Sequence, residues 1–143
     1  VDTKATESTE ADSQLAERSP KVMMQLAYAH LKMQRYDLAK DVLTSVVEHH
    51  ADNSTTHQYL GFCYLKLGDL DKAIDSYARA VELNDADWEA HSGLGVAYML
   101  KARSTGDAGL AAKAIEQWRK SLDIKPDQKN AQTLVKMIET YSQ

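Results

Sequence analysis

The side chains in this sequence that are best suited to metal binding or nucleophilic chemistry are five histidines and one cysteine, Cys63. A single cysteine excludes an intrachain disulfide and a zinc site built from several thiolates. His57 and His91 occupy equivalent places in two copies of an internal repeat, and the adjacent residues His49 and His50 point to different faces of a helix. No glycine-rich phosphate loop and no pair of carboxylates in a catalytic arrangement is recognisable. The sequence therefore predicts a protein that is not an enzyme and that holds no metal and no cofactor.

Composition and charge narrow the class of protein further. The chain has 143 residues, 43% of them hydrophobic and 27% charged, with a formal net charge of −4, which is typical of a soluble globular domain. This charge argues against nucleic acid as a partner. No apolar run reaches the roughly 18 residues of a membrane span, so we expect no membrane insertion of this segment. The six glycines and two prolines favour helices joined by short turns. The sequence does not identify the cellular compartment.

Residues 1–19 differ from the rest of the chain in composition. They contain five acidic and two basic residues, and their only sizeable apolar side chains are Val1 and Leu15. Such a segment cannot bury enough apolar surface to offset the entropy lost on ordering. We expect residues 1–19 to be a disordered acidic leader or tether, with at most a frayed helical turn near residues 11–18. Because the sequence begins at Val1 with such a tether, we expect it to be a segment cut from a longer chain.

A repeat with a period of about 34 residues runs through the chain after this leader. Two segments share a histidine, leucine, glycine and tyrosine at fixed spacing: His57-x-x-Leu60-Gly61-x-x-Tyr64 and His91-x-x-Leu94-Gly95-x-x-Tyr98. A weaker copy lies one further period upstream: Met23-x-x-Leu26-Ala27-x-x-His30. Each copy is followed by an alanine and, four residues later, by a larger apolar residue: Ala39 and Leu43, Ala73 and Tyr77, Ala114 and Trp118. The last of these pairs lies seven positions beyond the place that the period predicts, so the third copy has gained seven residues.

This pattern resembles the tetratricopeptide repeat (TPR) family, whose unit is a helix-turn-helix of about 34 residues. The resemblance covers about three quarters of the chain and implies an all-α fold, a right-handed α-solenoid of helix-turn-helix repeats. The expected units are TPR 1 in residues 20–53, TPR 2 in residues 54–87 and TPR 3 in residues 88–128, followed by a capping helix in residues 129–143. Each unit alone exposes an apolar stripe, so the units must be stable by stacking.

Small and large side chains alternate in this pattern in a way that predicts how the helices pack. Gly61 and Gly95, with Ala27 in the first unit, are expected where the two helices of a unit approach most closely, opposite the alanines of the second helix. The larger residues that follow those alanines are expected to fill the space between units. In the capping helix we expect Asp127 to be the N-cap and four apolar residues to face the solenoid: Ala131, Leu134, Val135 and Ile138.

The seven-residue insertion lies near residues 102–112. The first helix of the third unit is expected to continue for about one turn to Gly106, and Asp107 is expected to cap a second helix that is also about one turn longer. This longer hairpin is either a tolerated surface insertion or a specificity element that contacts a partner.

The resemblance also implies a concave groove lined by the first helix of each unit. TPR proteins that grip the acidic C-terminal tails of heat-shock chaperones carry Lys, Asn, Asn, Lys and Arg at five groove positions, which form a carboxylate clamp. The corresponding residues here are Met24, Tyr28, Tyr59, Glu89 and Gly93. The clamp is missing, so an acidic C-terminal tail is a disfavoured partner.

An apolar and aromatic strip edged by polar groups takes the place of the clamp and suits an apolar helix or an extended hydrophobic peptide. The predicted peptide-binding residues are Met24, Tyr28, Lys32, Gln58, Tyr59, Phe62, Lys66, Ser92, Val96 and Met99. They indicate a non-catalytic adaptor that binds a peptide or helix of a partner protein. The alternatives are packing of some of these residues within the solenoid, a self-assembling scaffold module, or a small secretion chaperone of the TPR type, against which the polar leader argues.

Overall fold

The computed structural model describes residues 18–143, and these residues form an all-α, right-handed solenoid without strands. The leader predicted for residues 1–19 therefore lies almost wholly outside the described residues. The described part of the chain contains seven helices, and successive pairs stack along the chain. They are α1 (Pro20–Lys32), α2 (Tyr36–His49), α3 (Ser54–Leu67), α4 (Leu70–Leu83), α5 (Trp88–Thr105), α6 (Ala108–Ile124) and α7 (Ala131–Tyr141).

Local residues determine where several of these helices begin. The Ser19 hydroxyl accepts a hydrogen bond from the backbone N–H of Val22, 3.3 Å away, and Pro20 occupies the first helical position of α1. Asn53 caps α3 in the same way, because its side-chain oxygen accepts from the N–H of Thr55 at 2.8 Å. These caps satisfy backbone donors that have no partner within the helix.

The two helices of the third unit share the extra residues between them. α5 has 18 residues and α6 has 17, whereas α3 and α4 have 14 each. α5 ends at Thr105 and is followed by Gly106, which has a φ of 75° that favours glycine, and Asp107 then accepts hydrogen bonds from the N–H groups of Gly109 and Leu110. The hairpin of the third unit is therefore about one turn longer than that of the second.

Each of the three clusters of the core joins helices that belong to neighbouring units. Residues of α1, α2 and α3 form the first cluster, residues of α3, α4 and α5 form the second, and residues of α5, α6 and α7 form the third. Leu43, Tyr77 and Trp118, one from each repeat, are buried in these three clusters in turn. Because every cluster spans a boundary between units, no unit holds a complete core of its own.

The glycines of the repeats lie against aromatic rings. A Cβ atom built on Gly61 would be 2.7 Å from Cγ of Tyr77, and one built on Gly95 would be 2.3 Å from Nε1 of Trp118. The sequence interpretation placed these glycines opposite alanines of the second helix, but the nearest atoms belong to the aromatic rings. In the first unit Ala27 replaces the glycine and the smaller Leu43 replaces the ring, and both are completely buried.

The capping helix differs in two respects from its prediction. α7 begins at Ala131 after Asn130, so Asp127 is not its N-cap. The buried side chain of Gln128 donates hydrogen bonds to the carbonyl oxygens of Ser121 at 3.1 Å and Lys125 at 2.9 Å, which holds the preceding residues in a turn. This turn delays the start of the helix.

The face that α7 turns toward the solenoid also differs from the predicted one. Val135 was expected on this face but is 44% exposed. Leu134 is buried in the third cluster, and Met137 and Ile138 pack against it. The buried stripe of α7 is thus rotated away from Val135, because it follows the surface offered by α5 and α6.

Candidate functional site

A concave cavity of about 460 Å³ lies along the inner side of α1, α3 and α5. All three helices are the first helices of their units, so the repeat itself brings their inner faces to one surface. Seven of the ten predicted peptide-binding residues line this cavity: Tyr28, Lys32, Gln58, Tyr59, Phe62, Ser92 and Val96. We call this surface the groove.

Two further predicted residues lie beside the cavity. Met24 lines a shallower adjoining depression together with Tyr28 and Tyr59, and its sulfur accepts a hydrogen bond from the hydroxyl of Thr56 at 3.5 Å. Lys66 is exposed and its ammonium lies 5.5 Å from the centre of the Phe62 ring. Both residues therefore belong to the edges of the groove.

Met99 does not belong to the groove, so its prediction as a peptide-binding residue is wrong. Its side chain is only 4% exposed and packs in the third cluster with Trp118 and Leu134. The longer α6 and the capping helix cover this side of α5, and Met99 consequently fills the core instead of the surface.

The sequence interpretation missed two aromatic residues of the cavity, Tyr77 and Trp88. Tyr77 was expected to fill space between units, which it does, but its ring also reaches the floor of the cavity beside Gly93. A Cβ atom on Gly93 would be 2.3 Å from Cζ of Tyr77. In the sequence, Gly93 could have indicated that a ring approaches this position, because the equivalent position of the second unit carries the large residue Tyr59.

Aromatic rings and lysines are paired along the first two units of the groove. The rings of Tyr28 and Tyr59 are tilted by 32° with centroids 6.3 Å apart. Lys32 places its ammonium 5.4 Å from the centre of the Tyr28 ring, in the same way as Lys66 does on Phe62. Such contacts hold the lysine stems on apolar surface while the charged ends remain at the rim.

The third unit contributes a carboxylate to the groove. Glu89 accepts a hydrogen bond from the side-chain amide of Gln58 at 2.7 Å. Burial and, to a smaller extent, the nearby charge of Glu89 raise the pKa of Tyr59, and burial also raises the pKa of Tyr77. Both phenols are therefore neutral near pH 7 and can donate or accept a hydrogen bond.

His57 and His91, which occupy equivalent places in two repeats, are held by separate hydrogen bonds. Nε2 of the buried His91 donates to the backbone carbonyl of Asp85 at 2.8 Å. Nε2 of His57 lies 2.6 Å from a carboxylate oxygen of Asp52, whose pKa is lowered by hydrogen bonds from Arg79 and His57. Residues 18–143 contain no group of three or more His, Cys, Asp or Glu side chains placed to hold a metal ion.

The single cysteine is equally unsuited to nucleophilic chemistry. Cys63 is completely buried, and burial raises the pKa of its thiol to about 12, so the reactive thiolate is negligible near pH 7.

Within the described range, none of the helices is both long enough and apolar enough to cross a membrane.

Comparisons with known proteins point to one repeat family. Two family models match the chain, one described as tetratricopeptide repeat over residues 21–53 and one as TPR repeat over residues 61–101. The BBSome complex member BBS4 of Bos taurus is 28% identical over 114 residues, which make up 80% of this chain and 20% of that protein. The chain thus spans about a fifth of the length of this relative.

Solved structures share the fold. The first TPR domain of Spaghetti (RPAP3), bound to an HSP90 peptide, has a TM-score of 0.74 at 21% identity, covering 92% of this chain and 96% of that one. The Yersinia enterocolitica type III secretion chaperone SycD, in complex with a peptide of the translocator YopD, has a TM-score of 0.71 at 19% identity, covering 85% and 91%.

Proposed function

Because the chain belongs to the tetratricopeptide repeat family, we propose that it is a non-catalytic adaptor that binds a peptide or helix of a partner protein in its groove. Solved structures of similar fold support this proposal, since the TPR domain of Spaghetti is bound to an HSP90 peptide and SycD to a YopD peptide. The mechanism is burial of apolar surface on a preformed concave face, without a cofactor.

The observation that carries the proposal is the set of aromatic side chains left accessible on the concave side. Tyr28 is 48% exposed, and Tyr59 and Phe62 are half-buried beside it. Aromatic residues of this kind supply most of the binding energy at many protein interfaces, because a partner can desolvate them at a small cost in side-chain entropy. The groove is therefore suited to an apolar segment, extended or helical.

The chemistry of the same surface is poorly suited to an acidic C-terminal tail. Met24, Tyr28 and Tyr59 offer no positive charge at the positions where the clamp of the family would hold carboxylates. Glu89 adds a negative charge at a fourth position, which would repel a tail of closely spaced carboxylates. We therefore propose an apolar or aromatic partner segment.

The direct test replaces Tyr28, Tyr59 and Phe62 together with alanine. We expect capture of partner protein in a pull-down to fall at least tenfold, because each truncation removes about 1–2 kcal/mol of contact in a central hot spot. The matched control truncates three exposed apolar residues outside the groove, Leu38, Leu83 and Tyr141. Thermal unfolding of both variants is measured alongside. A folded groove variant that still captures its partner would reject the groove as the binding site.

Self-assembly is the second candidate, and the outer face of α1 supports it. Val22, Leu26 and Ala29 stand one repeat period before Thr56, Leu60 and Cys63, which are buried in the second unit. The same positions of the third unit are buried as well, whereas Val22 is 46% exposed. The first unit thus keeps apolar residues at positions that the other two units cover by stacking.

Light scattering over a concentration series tests this candidate. A second copy docked on α1 would raise the mean mass with concentration, and Val22→Glu with Ala29→Glu would return the chain to a monomer because charges would be buried in the contact. The matched control is the pair Lys120→Glu and Lys136→Glu, at exposed positions of α6 and α7. A strict monomer at every concentration would exclude self-assembly.

A further inference from the structure

The charges of the groove are separated along the axes of the helices that line it, because Lys32 and Lys66 lie at the C-terminal ends of α1 and α3 whereas Glu89 lies in the first turn of α5. This separation bears on the chemistry of the partner. Lys32 and Lys66 stand at equivalent positions of the first two units. Each ammonium lies over an aromatic ring of the groove. Within residues 18–143 neither of them pairs with a carboxylate, whereas Lys72, Lys101 and Lys120 do. The first two units therefore offer two positive charges that are oriented but not neutralised.

The opposite charge is at the third unit. Glu89 lines the cavity, and among the described residues 18–143 only its Oε2 atom accepts a hydrogen bond, from the neutral amide of Gln58. The neighbouring Asp87 has structural partners instead, because it caps α5 through the N–H of Ala90 and accepts a hydrogen bond from Ser54. Lys125 lies over the ring of Trp88, next to Glu89 in the chain, but it pairs with Asp127 at 3.7 Å. Glu89 thus retains a negative charge facing the cavity.

The surface between these charges is apolar and has one hydrogen-bonding group at its floor. Tyr77 is only 3% exposed at the bottom of the cavity, and among residues 18–143 its hydroxyl has no hydrogen-bond partner. Tyr59, Phe62 and Val96 form the surrounding walls. A partner side chain seated here would be mainly apolar, with a polar tip that reaches the phenol.

These observations lead to an inference that rests on the proposed function and makes it more specific. We propose that the partner segment carries an acidic residue and a basic residue on opposite sides of its apolar anchor, and that the acidic residue meets Lys32 and Lys66 while the basic residue meets Glu89. A uniformly acidic segment would be repelled by Glu89, and a uniformly basic one by the two lysines. The charges therefore determine the direction in which the segment lies.

The rim charges are expected to contribute little to the affinity for the peptide and much to the choice between its two directions. The rim charges are partly exposed, and pairs of this kind change affinity by only a few fold each. The apolar anchor supplies most of the affinity, while the charges favour one of the two directions of the segment. Reversing the order of charges in a peptide should consequently weaken binding without abolishing it.

Selection from a phage-displayed library of random dodecapeptides on the immobilised chain tests this inference. Peptides that also bind the variant with alanine at residues 28, 59 and 62 are removed first. We expect the remaining peptides to carry an acid and a base in one consistent order around large apolar residues. Their affinity should fall about fivefold for Glu89→Lys and should recover when the basic residue of the peptide is replaced by Glu. Lys32→Glu with Lys66→Glu should act in the same way on the acidic residue.

The control is Glu139→Lys, which makes the same charge change on the exposed side of α7, away from the groove. Peptides that bind through the aromatic residues but show no charge order would overturn the charge inference and leave the proposed function intact. Equal effects of Glu89→Lys and Glu139→Lys would overturn it as well. A library that yields no peptide dependent on the aromatic residues would overturn both proposals.

Discussion

The substitution Gly95→Ala is expected to lower the free energy of unfolding by about 2 kcal/mol, because overpacking of a core costs about 1–3 kcal/mol. The added Cβ atom would lie 2.3 Å from Nε1 and 2.4 Å from Cδ1 of Trp118, whose side chain has no exposed surface. The ring cannot withdraw because Met99, Ala114 and Leu134 surround it in the third cluster. Helix propensity alone would stabilise the same substitution by about 1 kcal/mol, so the sign of the measured change identifies the dominant effect.

The chain contains its own control for this prediction. The first unit carries Ala27 and Leu43 at the positions of Gly95 and Trp118, and both residues are completely buried. Trp118→Leu should be destabilising when it is made alone, because it leaves a cavity. Combined with Gly95→Ala it recreates the pair of the first unit, and the two losses should be less than additive in a double-mutant cycle measured by denaturant unfolding. Strict additivity, or stabilisation by Gly95→Ala alone, would contradict this packing account.

The sequence was sufficient to predict the solenoid because the repeat encodes the fold locally and several times over. The period of the repeat and the small residues at fixed positions predicted stacked helical hairpins, and the fold is confirmed. Most of the described helices begin at a single capping residue such as Asn53 or Asp107. The side chain of each of these residues accepts hydrogen bonds from backbone N–H groups only two or three residues away. Signals of such short range survive without knowledge of the tertiary structure.

The errors arose where a residue depends on contacts with distant parts of the chain. Met99 has the spacing of a groove residue, but α6 and α7 cover it, and nothing in its own helix predicts this. The start of α7 depends on Gln128, whose amide bonds to Ser121 seven residues earlier. The face of α7 that is buried follows the shape of the third unit, so Val135 was placed on the wrong side. These three errors concern the third unit and the capping helix, where the period of the repeat is interrupted or ends.

The prediction of the cavity was limited in the same way by contacts between distant parts of the chain. Its walls could be predicted from the inner positions of α1 and α3, because those positions recur with the repeat. Its floor could not, since it is formed by Tyr77 of α4, which reaches the concave side past Gly61 of α3 and Gly93 of α5. Gly93 has no glycine at the equivalent positions of the other units. A residue that departs from the repeat was thus the only sequence signal for the deepest part of the groove.

The substitution Tyr77→Ala is expected to have the largest effect on stability, a loss of about 4 kcal/mol, because truncating a buried aromatic residue to alanine costs about 3–5 kcal/mol. The ring fills the space between α3 and α5, with 3% of its surface exposed. Because both glycines that contact the ring would then face a void, the second and third units should lose their fixed relative position. Denaturant unfolding measures the loss, and partner capture should fall together with it.

Tyr77→Phe separates the ring from its hydroxyl. The ring and its contacts with Gly61 and Gly93 remain, and the hydroxyl has no partner among residues 18–143, so the free energy of unfolding should change by less than about 0.5 kcal/mol. If the hydroxyl bonds to a partner segment at the cavity floor, capture by this variant should fall severalfold at unchanged stability. A loss of stability as large as that of Tyr77→Ala would contradict the absence of a hydrogen-bond partner. Full stability of Tyr77→Ala would show instead that the two units do not depend on this ring, because packing elsewhere in the second cluster would then suffice.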